Sequence, residues 1–113
     1  MSDLTLNDYQ KGALITAQKD LGYREQLANT ALGLAGKAGE TADILKKHLF
    51  HGHDLDLMKL RNEIGDVLWY IAVLSHTIGL DLEEVAQANL DKLRRRYGDK
   101  FTQAKSVNRP QED

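Results

Sequence analysis

Apolar residues recur at i, i+3, i+4 and i+7 through most of the chain, and strict apolar–polar alternation is nowhere sustained. That period belongs to amphipathic helices and not to half-buried strands, so the sequence predicts an all-α protein. A first helix is expected from about Asn7 to Lys19, capped by Thr5 or Asn7, with Tyr9, Ala13, Ile15 and Ala17 as its apolar positions. Residues 20–24 read as a connection. A second helix should run from Glu25 or Ala28 to Leu49 and stop at Gly52. Its main stripe is Leu34, Ala38, Ala42, Leu45 and Leu49, with Leu32 and Ile44 off that stripe, so more than one face is expected to be covered. The third helix is expected from about Asp56 to Thr77, closed by Gly79, with Leu60, Ile64, Val67, Ile71, Leu74 and Ile78 as its core stripe. Asp81 then reads as the N-cap of a fourth helix, with Glu83 and Glu84 favourably placed in its first turn. That helix carries Val85, Ala86, Leu90, Leu93 and Tyr97 and stops at Gly98. The expectation is about four helices in one domain over residues 1–104, followed by a polar tail over 105–113 that holds the only proline, Pro110.

Three glycines interrupt the second helix: Gly33, Gly36 and Gly39. Each costs roughly 0.5–1 kcal/mol relative to alanine inside a helix. Their clustering implies close approach either of a neighbouring helix or of a ligand.

Composition narrows the function more than the fold. The chain has 113 residues, enough for one core, with 15 Lys plus Arg against 17 Asp plus Glu and a formal net charge of -2. That balance gives no electrostatic reason to coat nucleic acid or an anionic membrane. Cysteine is absent, which removes disulfides, thiol nucleophiles and Cys-ligated zinc. No apolar run approaches the length of a membrane span and no secretory leader is visible, so a soluble cytoplasmic protein is expected.

Two acidic pairs carry candidate chemistry. The second helix holds Glu40 and Asp43, the third Glu63 and Asp66, each pair at i and i+3 and therefore adjacent on a helix surface. Glu63 and Asp66 fall along one edge of the apolar stripe, which Tyr70 shares. Carboxylates held this close repel unless a cation lies between them. On antiparallel helices the two pairs would face one another, and an all-oxygen set suits Mg²⁺ or Mn²⁺ and hence a phosphate ester or anhydride. Solvated helix faces carry the same spacing, so the pairs alone leave both readings open.

On the fourth helix Asn89, Lys92 and Arg96 share one face. They could clamp phosphate oxygens or simply complement the C-terminal helix dipole. Net charge and the lack of interleaved aromatics argue against nucleic acid. His48, His51 and His53 cluster at the end of the second helix and are read as exposed rather than as a zinc site. Trp69 lies off the main stripe and is either packing or a stacking platform for a base.

Taken together, residues 33–43, 63–70, 79–85 and 89–97 resemble the MazG-like nucleoside triphosphate pyrophosphohydrolases, over roughly Leu32 to Phe101. The resemblance implies an all-α bundle completed by dimerisation, as a homodimer or homotetramer. It also implies Mg²⁺-dependent hydrolysis of nucleoside triphosphates to monophosphate and pyrophosphate. The family motif is E-x-x-E on one helix and E-x-x-D on the next. Glu63 and Asp66 match the second half, and Glu40 matches the second glutamate of the first half. The first glutamate falls on Lys37, which cannot ligate a metal while protonated. The resemblance thus marks Glu40, Glu63 and Asp66 as catalytic metal holders, with Asp43 assisting. It marks Lys92, Arg96 and Asn89 as triphosphate contacts, with Trp69 at the base. Lys37 also opens an alternative, a catalytically impaired nucleotide-binding or dimerisation module.

Overall fold

The structure is a computed structural model that describes residues 3–109. Among these residues the regular structure is helical throughout: α1 (Leu6–Ile15), α2 (Tyr23–Phe50), α3 (Leu57–Thr77), α4 (Leu82–Tyr97) and α5 (Gln103–Val107). Pro110 and the end of the expected tail lie outside the described residues.

Side-chain caps fix most of the starts. Thr5 Oγ1 accepts from the Asp8 amide at 3.0 Å, and Asp56 Oδ1 from the Lys59 amide at 3.1 Å. Asp81 and Glu84 form a reciprocal capping box, both bonds 2.8 Å long. Gly79 at φ 86° closes α3 in a backbone region that side-chain-bearing residues avoid.

Three boundaries differ from expectation. α2 begins at Tyr23, inside the stretch 20–24 expected to be a connection, with Gly22 as its N-cap in extended backbone. α1 ends at Ile15 rather than Lys19, because Thr16 and Ala17 turn their amides back to Ala13 and Leu14 in a tight final turn. α5 crosses the boundary expected at residue 105 and packs on α4; its N-cap, Thr102, accepts from the Lys105 amide at 3.1 Å.

α2 and α3 form a long antiparallel hairpin. α1 and α4 pack on α3, and α4 makes no packing contact with α2. The fully buried core is small, consisting of Ala13, Ala72, Val73 and Leu82 with Tyr9, Leu14, Ala17, Trp69 and Ile71 packed around it. The expected core stripes are not what the protomer buries. On α3, Ile64 is 54% exposed and Ile78 48%, while Ala72 and Val73 fill the centre. On α2, Leu45 and Leu49 face outward, as do Ala38 and Ala42. The reason is that α2 meets α3 through its more polar face, carrying Thr30, Gly33, Lys37 and Thr41. Gly33 makes room for Tyr70: a Cβ there would overlap the Tyr70 ring, whereas Gly36 and Gly39 have open space. The outward apolar faces show in the dimensions too. The radius of gyration is 17.1 Å, against about 13 Å for a compact chain of this length.

Candidate active site

The polar α2–α3 seam gathers the charged residues. Antiparallel pairing sets Gly33 against Tyr70, Lys37 against Asp66, and Glu40 against Glu63. Successive i, i+3 positions on each helix therefore project into one strip, which is what brings residues distant in sequence into a single cluster.

Lys37 stands at the centre of this cluster. Its Nζ lies 3.2 Å from Asp66 Oδ2, 3.4 Å from Glu40 Oε2 and 3.6 Å from Glu63 Oε2. The hydrogen bond to Asp66, reinforced by the charges of Glu40 and Glu63, holds the ammonium protonated above the usual lysine range. Three carboxylates against one ammonium leave a formal charge of −2.

Glu63 is the carboxylate most withdrawn from water, its side chain 15% exposed. Its Oε2 is buried and has no hydrogen-bond partner. The adjacent Glu40 carboxylate, together with burial and the charge of Asp66, pushes its pKa above the usual glutamate range. Glu40 and Asp66 are much more open, at 57% and 49%.

Asp43 is engaged differently. Lys47 Nζ lies 2.8 Å from Oδ2 and Lys46 Nζ 3.7 Å from Oδ1, which lowers its carboxyl below the usual range. It nevertheless shares with Glu40, Glu63, Ile44 and Lys59 the wall of a cavity of about 120 Å³ in the seam. This space suits a hydrated ion and is far too small for a nucleotide.

Among the described residues no three acidic or imidazole groups are posed to ligate one metal ion as they stand. The point where three carboxylates meet is held by an ammonium. The chemistry of the donor set nevertheless fits a hard divalent cation: all donors are carboxylate oxygens, the buried Glu63 Oε2 has no hydrogen-bond partner and only the Lys37 ammonium 3.6 Å away, and the residual charge matches one such ion.

The other candidates lie apart. Asn89, Lys92 and Arg96 are carried by α4, which reaches the seam only through α3; Lys92 and Arg96 are half-buried and Asn89 exposed. Trp69 packs against the core, and its Nε1 donates to Thr16 Oγ1 at 2.9 Å, so the packing reading is the one its surroundings support. His48, His51 and His53 are exposed, with His48 Nδ1 2.8 Å from the carbonyl of His53. A larger cavity of about 450 Å³, lined by Leu90, Leu93, Tyr97 and Phe101 among others, contains none of the carboxylates.

Sequence reading missed two neighbours of the seam. Lys59 lines the small cavity one turn before Glu63, a position its i, i+4 spacing could have flagged. Tyr9 comes from α1; burial and the charge of Asp66 keep its phenol protonated. No local spacing signals that approach.

Comparison with known proteins gives the chain's family. The family model of the MazG nucleotide pyrophosphohydrolase domain matches residues 25–101, which span the whole seam. The Gene 37 protein of Mycobacterium phage L5 is 36% identical over 101 residues, covering 86% of this chain and 89% of that protein. No solved structure matches the chain.

Proposed function

Since the chain belongs to the MazG nucleotide pyrophosphohydrolase family, we propose that it hydrolyses nucleoside triphosphates, ribo or deoxy, to the monophosphate and pyrophosphate with Mg²⁺, or Mn²⁺ in its place. The observation that carries this reading is the convergence of Glu40, Glu63 and Asp66 across the seam, with a buried Glu63 oxygen that has no donor. Water attacks the α,β-phosphoanhydride, the bridging P–O bond breaks with its electron pair going to the departing phosphate group, and the protons of the water pass to phosphate oxygens or to solvent. A bound divalent ion supplies phosphate charge neutralisation and a more acidic water.

Glu40, Glu63 and Asp66 are the residues that would hold that ion, with Asp43 as an assisting carboxylate. Lys37 fixes the orientation of the three by pairing with all of them. Lys92 and Arg96, with Asn89, serve the triphosphate, Arg through bidentate contacts and Lys as a point charge. Because α4 and the seam are not in direct contact on α2, we assign the complete nucleotide site to an assembly of two or more copies, which also covers the outward apolar residues such as Leu49 and Ile64. Removal of unwanted nucleotides in the cytoplasm is the role that fits. Among the described residues no helix is long and apolar enough to cross a membrane.

The test is pyrophosphate release from a panel of common and modified nucleoside triphosphates with Mg²⁺ or Mn²⁺. Glu63→Gln should abolish turnover while helical content stays intact; unchanged turnover removes the assignment. A second reading, a nucleotide-binding or dimerisation module without turnover, is favoured by the ammonium at the carboxylate centre. It predicts that Lys37→Glu hydrolyses triphosphates and the natural chain does not.

A further inference from the structure

The position of Lys37 has a consequence for how many ions the seam accepts. A lysine on a solvated helix ordinarily pairs with one partner at most, and loosely. Here one Nζ lies within 3.6 Å of three carboxylates, two of them on the other helix. Its side chain is 30% exposed, so the contact is made inside the seam rather than over it. An ammonium and a divalent ion compete for the same oxygens, and their like charges repel at close range. With a fourth carboxylate at position 37 the cluster would carry a formal charge of −4, enough to balance two divalent ions; with lysine the −2 balances one. The adjoining cavity, bounded by Glu40, Glu63, Asp43 and Lys59, offers room on one side of the ammonium only: it is lined by neither Lys37 nor Asp66.

We propose that Lys37 is a tethered cation filling one cation position of the seam, so that each protomer takes up a single divalent ion beside Glu40 and Glu63. This rests on the reading of the seam as a divalent-cation site. In it Lys37 is a positioning residue: its ammonium, 3.2 Å from Asp66 and 3.4 Å from Glu40, sets the carboxylates around one ion, which Glu40 and Glu63 reach from the cavity wall and Asp66 from beside the ammonium.

The experiment is Mn²⁺ titration of the full chain followed by calorimetry and electron paramagnetic resonance, with pyrophosphate release measured on the same samples. The natural protein should bind one Mn²⁺ per chain with the spectrum of an isolated ion. Lys37→Glu should bind two, with the spin-coupled spectrum of neighbouring ions, which in two-metal sites lie about 3.5–4 Å apart. Lys37→Gln should bind one, about tenfold or more tightly, because a repelling charge is gone. Circular dichroism on each variant confirms folding, and the partly exposed side chain makes both substitutions compatible with it. Two coupled ions in the natural protein, equal ion number and affinity in all three proteins, or no Mn²⁺ uptake by any of them would each overturn the inference. Two ions together with pyrophosphate release overturn it and leave the proposed activity standing. One ion in the natural protein, two in Lys37→Glu and no pyrophosphate from either uphold it and remove the activity.

Discussion

Lys37 Nζ and Asp66 Oδ2 lie 3.2 Å apart across the α2–α3 seam, the shortest of the three ion pairs that converge on this lysine. Asp66 is half-exposed, so the pair contributes little to stability and its consequence is positional. Asp66→Asn should leave the melting temperature nearly unchanged while lowering Mn²⁺ affinity and turnover, the latter by about 10²-fold. Calorimetric titration and pyrophosphate release read the two effects. A large fall in melting temperature with turnover intact would mean that Asp66 is a structural residue.

The acidity of Glu63 gives a pH signature to the metal-free protein. Its folded value is raised above the reference of 4.5 by the adjacent Glu40 carboxylate and by burial. Between the unfolded and folded values the native state therefore binds more protons than the unfolded one. The stability that Glu63 contributes is fully present below about 4.5 and is lost as pH rises through the raised value. Asp43 acts in the opposite sense and in a lower window: its depressed value adds stability above 3.8 that is lost on acidification. Urea unfolding of the metal-free protein across pH 4–8 should show the upper decline. Glu63→Gln should flatten it, and so should saturating Mn²⁺, which binds the ionised form.

Gly33 separates the three glycines of α2. A Cβ at this position would overlap the Tyr70 ring, so Gly33→Ala should destabilise by about 1–3 kcal/mol despite alanine's better helix propensity. Gly36 and Gly39 face open space in the protomer, and alanine there should stabilise by about 0.5–1 kcal/mol each. Thermal unfolding of the three variants decides this. Destabilisation at Gly36 or Gly39 would show that a second copy covers that face.

How far the sequence was legible follows from the same residues. Helix periods, the Asp81 capping box and the Gly79 and Gly98 stops are local signals, and all four long helices are where those signals put them, to within a few residues. Which face of a helix is buried is a tertiary decision. Leu49 and Ile64 satisfy the apolar period yet point outward, because the polar strip around Lys37 is what α2 presents to α3. The facing of Glu40 and Glu63 was legible from two i, i+3 pairs on antiparallel helices. That Asp43 would turn to Lys46 and Lys47, and that Tyr9 would approach Asp66, depends on choices no local spacing encodes.

Gln10 illustrates the same limit in the core. It is a polar residue on a weakly patterned helix, yet it is 6% exposed and holds three elements together. Nε2 donates to the carbonyls of Ala72 and Leu80 at 3.0 and 3.2 Å, and Oε1 accepts from the Leu82 amide at 3.1 Å. It thus binds α1 to the end of α3 and the start of α4, and supplies a partner to the Leu82 amide, which has none within its own helix. Gln10→Leu keeps the volume but loses these bonds, and should destabilise by about 2–3 kcal/mol in urea unfolding with an unchanged slope. Gln10→Glu is the sharper probe. Its carboxylate still accepts from Leu82 but is forced against two carbonyl oxygens, so at neutral pH it should cost more than leucine. Acidification converts the carboxylate to a carboxylic acid that can again donate to one carbonyl. The variant's deficit relative to the natural protein should therefore shrink as pH falls towards 4, and a deficit independent of pH would show that the Gln10 amide is not what joins these helices.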